Sequence, residues 1–254
     1  MRVIGLDLGS RRCKAVLLVD EIPSEYVVFD SWNLAREAIS TWVRERQADA
    51  IGATGYGRRL AAATFSAAVI TEIAAFAQGA DYFTPEARTL VDIGGQDAKV
   101  IHLDGHGGAA DFEMNDRCAA GTGKFFELLA RTLGLPLQEL SSQALAAPEA
   151  IAISSTCAVF AESEIIGRLA EGADPAALSR GVFRSVAERL STMIARVGFA
   201  APAILVGGGA NAALAAELEG CIGQPFRLPD HGTYFGAVGV AIYAKRQMNQ
   251  VETV

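Results

Sequence analysis

The chain alternates short, continuous apolar runs with glycine-marked turns and stretches of helical spacing. Arg2–Leu8 is apolar at nearly every position and stops at Gly9-Ser10-Arg11-Arg12, the pattern of a buried strand and a tight turn. A second apolar run, Ala15–Val19, makes the pair a hairpin. Leu34–Arg46 has helical spacing, with Trp42 and Val43 on the apolar face. Ala50–Thr54 predicts a short strand, Gly55–Arg58 a turn, and residues 66–79 a helix ending at Gly79. A strand-turn-strand over Leu90–Leu103 follows, then a strand near Ala109–Met114. Helices are expected over Cys118–Leu133, Cys157–Ala170 and Pro175–Val197. Ala203–Val206 predicts a strand running into Gly207-Gly208-Gly209. The last helix is expected over Phe235–Arg246, with a frayed tail.

One pattern occurs twice. Asp7, Gly9 and Lys14 recur as Asp92, Gly94 and Lys99, 85 residues further on. A supersecondary unit repeated in register predicts two similar halves with a site between them. We place the boundary near Pro85, giving domains 1–85 and 86–254, with the final helix free to pack back on the first. The fold class is therefore α/β, in two halves.

Composition narrows the function. The 254 residues are 51% hydrophobic and 20% charged, enough to build a core. A net charge of −7 argues against a nucleic-acid partner. No apolar run approaches a membrane span, and no secretory signal opens the chain, so a cytoplasmic location is expected. The four cysteines, Cys13, Cys118, Cys157 and Cys221, lie too far apart for a disulfide scaffold.

The paired Asp-x-Gly turns suit a phosphate clamp, since glycine lets backbone N–H groups approach an anion. Asp7 and Asp92 are candidate Mg²⁺ ligands. Gly9, Ser10, Arg11, Arg12 and Lys14 form the first loop, with positive charge for phosphate and Cys13 lining it. Gly94 and Gly95 form the second, and Gln96 or Asp97 could orient an attacking water. Gly207, Gly208 and Gly209 follow a strand, as an adenosine-binding turn would. Any one such turn alone is an ordinary hairpin; three with an internal repeat point to a nucleotide. The Walker motif is absent.

Cys118 and Cys157 each follow polar residues at an expected helix start, where thiolate is favoured. They are 39 residues apart. Two thiolates cannot complete a four-cysteine cluster, but a two-fold dimer would supply four. The same spacing fits small buried residues at packed helix starts. Cys221 is expected to pack, and His102 and His106 to flank a solvated turn.

The chain resembles the activator ATPases of 2-hydroxyacyl-CoA dehydratases and the ATP-binding subunits of benzoyl-CoA reductase, in the superfamily of acetate and sugar kinases, heat-shock ATPases and actin. The resemblance rests on Gly5-Leu-Asp-Leu-Gly-Ser10, Ala53-Thr-Gly-Tyr-Gly-Arg58, Val91-Asp-Ile-Gly-Gly-Gln-Asp-Ala-Lys-Val-Ile101, Met114–Phe125 and Ile153–Glu164. It implies two ribonuclease-H-like (actin-like ATPase) domains with a nucleotide cleft, and a homodimer binding ATP/ADP with Mg²⁺. It further implies one bridging [4Fe-4S] cluster held by Cys118 and Cys157 of each subunit. ATP hydrolysis would drive one electron to an iron–sulfur dehydratase or a related reductase, with ferredoxin or flavodoxin as the donor. Gly121, Thr122, Gly123 and Thr233 are further candidate nucleotide contacts; Thr233 stands where the family commonly has Gln. Other readings are the same reductase serving a double-cubane-cluster protein or an aryl-CoA reductase core, a sugar or carboxylate kinase of this fold, and a nucleotide-switched binding module.

Overall fold

The structure, a computed structural model, describes residues 1–154 and 157–251, with the backbone alone for residues 32–34 and 251. By packing, the chain forms two units. The first takes Met1–Ala87, Leu103–Ala110 and His231–Val254; the second takes Arg88–His102 and Asp111–Asp230.

In the first unit, β1 (Arg2–Leu8), β2 (Arg12–Val19) and β3 (Ile22–Asp30) form an antiparallel meander. Helix α1 (Trp32–Arg46) leads to β4 (Ala50–Gly55), which pairs parallel with β1. Next come α2 (Arg58–Phe65), β5 (Ala68–Val69) and α3 (Glu72–Phe83). The sheet order is β3-β2-β1-β4-β5. One face of the sheet packs Ile4, Leu6 and Leu17 against Ile39, Trp42 and Val43 of α1. The other packs Val3, Val16 and Leu18 against Ala237, Val238 and Ala241 of the last helix, α9 (Phe235–Val251). The unit is thus a three-layer α/β/α stack, which is why β1 reads as a continuous apolar run.

The second unit opens with β6 (Thr89–Ile93), β7 (Ala98–Leu103) and β8 (Ala109–Asn115). Five helices follow: α4 (Gly123–Thr132), α5 (Leu137–Ala146), α6 (Ala158–Ala170), α7 (Pro175–Val197) and, after β9 (Ala203–Val206), α8 (Ala212–Ile222). A short strand, β10 (Phe226–Arg227), pairs parallel with β9. The order β8-β7-β6-β9-β10 matches that of the first sheet position by position. The repeat seen in the sequence is therefore a repeat of topology. Helix α7 starts at Asp174, whose carboxylate accepts from Ala176 N, has Pro175 in its first turn and stops at Gly198. These are the start and stop signals that made it legible. Its periodic face, Leu178, Val182, Phe183, Val186 and Leu190, lies in the unit's core.

Some expectations are corrected, and one element is added that the sequence pattern did not assign. After Val19 comes the nine-residue strand β3. Its turn uses Asp20 and Glu21, both at positive φ. That is the conformation Asn-Gly usually supplies, so the hairpin had no turn signal. The Met1 ammonium donates to the Asp20 carboxylate, fixing the turn and holding the Asp20 pKa below the ordinary carboxylate value. The helix expected over 66–79 starts only at Glu72, after the short strand β5, and a separate helix, α2, ends just before the expected range. Ser66, in the left-handed region, ends α2, and Thr71 caps α3 by accepting from Ala74 N. Gly79 does not end α3. It lies inside it because a Cβ there would collide with Phe235 O of α9. The frayed tail beyond Arg246 is also revised, since α9 continues to Val251; residues 252–254 lie outside the described residues.

Gly239 makes the reciprocal approach, with its Cα over Ala75 O of α3. A methyl group there must push the two helices apart, at a cost of about 1–3 kcal/mol. Gly239→Ala is therefore expected to lower the thermal midpoint by several degrees, measured by circular dichroism. Gly220→Ala, whose added Cβ meets open space, should leave the midpoint close to that of the unaltered protein.

Candidate functional site

Each unit places an aspartate on its central strand opposite a lysine on the next. Antiparallel register pairs Asp7 with Lys14 and Asp92 with Lys99. The seven-residue spacing is thus the length of a hairpin, and it puts both charges at the turn end of the strands. Lys14 Nζ lies 3.2 Å from Asp7 Oδ2. Lys99 Nζ lies 3.0 Å from Asp92 Oδ2 and 2.7 Å from Asp97 Oδ2. Asp92 and Lys99 are each 2% exposed and Asp97 is 5% exposed. A charge this buried must be paired, because desolvation alone would expel it.

In the first hairpin Gly9 and Ser10 are partly exposed, and Arg11 and Arg12 are exposed. Strand β2 begins at Arg12, so Arg12 and Cys13 leave the expected loop for the strand. Cys13 lies in the apolar cluster with Ile4 and Leu6. Gly236 of α9 is a residue the sequence reading missed. A Cβ there would lie 3.3 Å from the Asp7 carboxylate. Thr233 stands three residues earlier, half-buried in a single 3-10 turn over Gly232–Tyr234.

In the second hairpin Gly94 N–H donates to Asp97 O at 2.9 Å and closes the turn. Gly94 and Gly95 are partly exposed, Gln96 is exposed and Asp97 is turned inward. Gly207 has φ +95° and lies against Asp92 Oδ1, where any side chain would collide. Gly209 N–H donates to Ile93 O at 2.9 Å, and Asn211 Nδ2 donates to Gly209 O at 2.9 Å. Gly208 faces open space. The glycine turn after β9 is thereby tied down over Asp92, with one glycine free.

The Gly121-Thr122-Gly123 segment is held to the same hairpin. Gly123 N–H donates to Gly94 O and Lys124 N–H to Gly95 O, both at 2.9 Å. Gly121 and Thr122 are buried, and the Thr122 hydroxyl donates to Ala119 O at 2.7 Å. Cys118 therefore does not start a helix, contrary to expectation; α4 begins five residues later. It sits on a loop instead, pinned by Asn115. The Asn115 Oδ1 accepts from Cys118 N at 3.2 Å and its Nδ2 donates to Cys118 O at 3.0 Å. Cys157 does stand at a helix start, as the N-cap of α6. The expected capping residues Ser155 and Thr156 lie outside the described residues. Glu164 reaches back to accept from Ser154 N at 3.1 Å. Both Cys118 and Cys157 are exposed free thiols, so neither is a buried packing residue. Cys221 is exposed as well, within α8 rather than packed after it. Partial burial, with Glu188 and Glu217 nearby, raises its thiol above the ordinary value.

The family model for the BadF/BadG/BcrA/BcrD ATPases matches residues 4–244. The chain belongs to that family. A 2-hydroxyisocaproyl-CoA dehydratase activator of Clostridioides difficile is 37% identical over 265 residues, covering 96% of this chain and 95% of the relative. An (R)-2-hydroxyglutaryl-CoA dehydratase activating ATPase of Acidaminococcus fermentans is 35% identical over 254 residues, covering 96% and 97%. Among solved structures, the activator of the 2-hydroxyisocaproyl-CoA dehydratase from Clostridium difficile, with bound ADPNP, is 34% identical. It superposes with a TM-score of 0.90, covering 100% of this chain and 97% of the other.

Two groups associated with the resemblance can be tested against this ATPase. Asp92 and Asp97 both place a carboxylate oxygen against Lys99 in the second hairpin. Carboxylate oxygens beside an open glycine turn fit a hard cation such as Mg²⁺. For an iron–sulfur cluster, Cys118 and Cys157 offer two exposed thiols, half of the usual set of four. Among the described residues, no group of three or more His, Cys, Asp or Glu could hold a metal within one chain. No helix among them is long and apolar enough to cross a membrane.

Lys99→Met removes an ammonium that lies within hydrogen-bonding distance of both buried carboxylates. Breaking a buried pair in this way costs roughly 3–5 kcal/mol. We expect a large drop in the denaturant midpoint of the ATPase, read by urea unfolding. Lys14→Met, in the less buried pair, should lose distinctly less.

Proposed function

We propose that this ATPase is an ATP-dependent one-electron reductase that activates a 2-hydroxyacyl-CoA dehydratase. The observation that carries the reading is the pair of exposed thiols, Cys118 and Cys157, on the unit that also bears the buried Asp92 hairpin. A [4Fe-4S] cluster held by these two cysteines from each of two copies would supply low-potential, one-electron redox chemistry.

The remaining roles belong to the chain's own side chains. Asp7 and Asp92 hold Mg²⁺, directly or through water. Arg11, Arg12 and Lys14, with the N–H groups of Gly9 and Ser10, take phosphate oxygens. Gln96, exposed at the tip of its turn, orients the attacking water, while the buried Asp97 holds Lys99. Gly207, Gly208 and Gly209 let an adenosine approach the backbone, with Thr233 as a further contact. The cysteine loop keeps its shape through Asn115, so Cys118 presents its thiol in a fixed direction.

The second copy is supported by what surrounds the thiols. Val159 and Phe160 follow Cys157 at 64% and 68% exposure, and Phe112 and Met114 stand exposed on the strand leading to Cys118. Large apolar side chains in this density mark a surface that another protein covers. We assign that surface to a homodimer, working in the cytoplasm with a ferredoxin or flavodoxin as donor and an iron–sulfur dehydratase as acceptor.

Oxygen-free purification followed by iron, sulfide and EPR analysis tests this. The protein is expected to be a coloured dimer with one four-iron cluster, and its EPR signal should respond to ATP. Cys118→Ser should lose the iron and electron transfer but retain nucleotide binding. Stoichiometric iron in that variant, or sugar phosphorylation by an iron-free protein, would overturn the proposal.

A further inference from the structure

The turn between β2 and β3 is held against two helices of the first unit. Glu21, its second corner, has φ +72°. The Glu21 carbonyl accepts from the Tyr82 hydroxyl of α3 at 3.2 Å, and the Glu21 carboxylate pairs with Lys245 of α9. A cleft of about 420 Å³ is lined by this turn and by both helices, within the size range of small-molecule sites, roughly 300–1,000 Å³. It lies at the far end of β2 from the Asp7–Lys14 pair, so it is separate from the candidate nucleotide site.

Each helix gives the cleft one stripe. Gln78, Asp81 and Tyr82 of α3 are spaced by three and four residues, and Ile242, Lys245 and Arg246 of α9 repeat that spacing. Leu18 and Ile242 form an apolar wall that continues into the core of the unit. Glu21 and Lys245 answer each other, which leaves the lining with one acid, Asp81, and one base, Arg246. Gln78 adds a buried acceptor, because its Oε1 has no hydrogen-bond partner among the described residues. A buried acceptor is ordinarily paired. The carboxylate and the amide oxygen together suit an ammonium, the guanidinium suits a carboxylate, and the wall suits a hydrocarbon chain.

We propose that this cleft binds a free α-amino acid with an apolar side chain. Its ammonium meets Asp81 and Gln78 Oε1, its carboxylate meets Arg246, and its side chain lies against Leu18 and Ile242. Calorimetry with L-leucine on the unaltered protein tests this. L-Leucine is expected to bind, while 4-methylpentanoate and 3-methylbutylamine, which lack the ammonium and the carboxylate in turn, should bind at least about tenfold more weakly. Asp81→Asn and Arg246→Gln should each weaken L-leucine by a similar factor. Gln78→Met, which replaces the buried acceptor with an apolar chain of similar length, should also weaken L-leucine while leaving the ligand-free thermal midpoint unchanged or higher.

The proposal falls if L-leucine, L-valine and L-phenylalanine all fail to bind at concentrations up to about 10 mM. It falls equally if folded Asp81→Asn and Arg246→Gln proteins keep the L-leucine affinity of the unaltered protein. Should neither variant fold, the two deletion analogues decide the matter, since affinities equal to that of L-leucine show that neither charged end is recognised.

Discussion

A lysine ammonium set opposite a strand aspartate by antiparallel register is the interaction on which the candidate site depends. In the second unit it is buried almost completely, and so it has to be satisfied from all sides. Asp97 supplies the second carboxylate, Gly94 the space, and Gly207 the close backbone approach to Asp92. Helix α4 begins by donating its first amides to Gly94 and Gly95. One ion pair therefore connects the hairpin, the glycine turn after β9 and the segment that leads away from Cys118. The first unit repeats the pair in a more exposed form and adds arginines where the second adds an acid.

The thiols belong to a different mechanical setting. Cys118 is on a loop whose conformation is set by Asn115, and Cys157 is where α6 begins. Strand β8 before Cys118 and helix α6 after Cys157 leave Phe112, Met114, Val159 and Phe160 in solvent. The Asp92 hairpin and Cys118 are joined by two backbone hydrogen bonds and a short stretch of chain. Gly94 and Gly95 bind Gly123 and Lys124, and Cys118 lies five residues before Gly123.

Much of this was legible in the chain before folding was considered. The in-register repeat of Asp, Gly and Lys announced two equivalent hairpins, and α7 declared itself through Asp174, Pro175 and Gly198. The sequence was less informative where a conformation lacked its usual residues. Asp20 and Glu21 make a positive-φ turn without glycine or asparagine, which hid β3. The opposite error occurred at Gly79, where a glycine that looked like a stop serves a close helix crossing. At Cys118 the polar residues resembled a helix cap, but Asn115 folds them into a loop.

Pattern and spacing by themselves determined the α/β class, the doubled hairpin and the identity of the residues that can hold charge or metal, because strand period and turn chemistry are local properties of the chain. They could not determine which carboxylate each lysine faces, which glycine is a turn and which a contact, or whether a cysteine is buried or open. Those were decided by tertiary packing. The ammonium of Lys99 goes where desolvation is best compensated, Gly79 and Gly239 lie where two helix backbones meet, and Cys118 and Cys157 stay at the surface because the core of their unit closes without them.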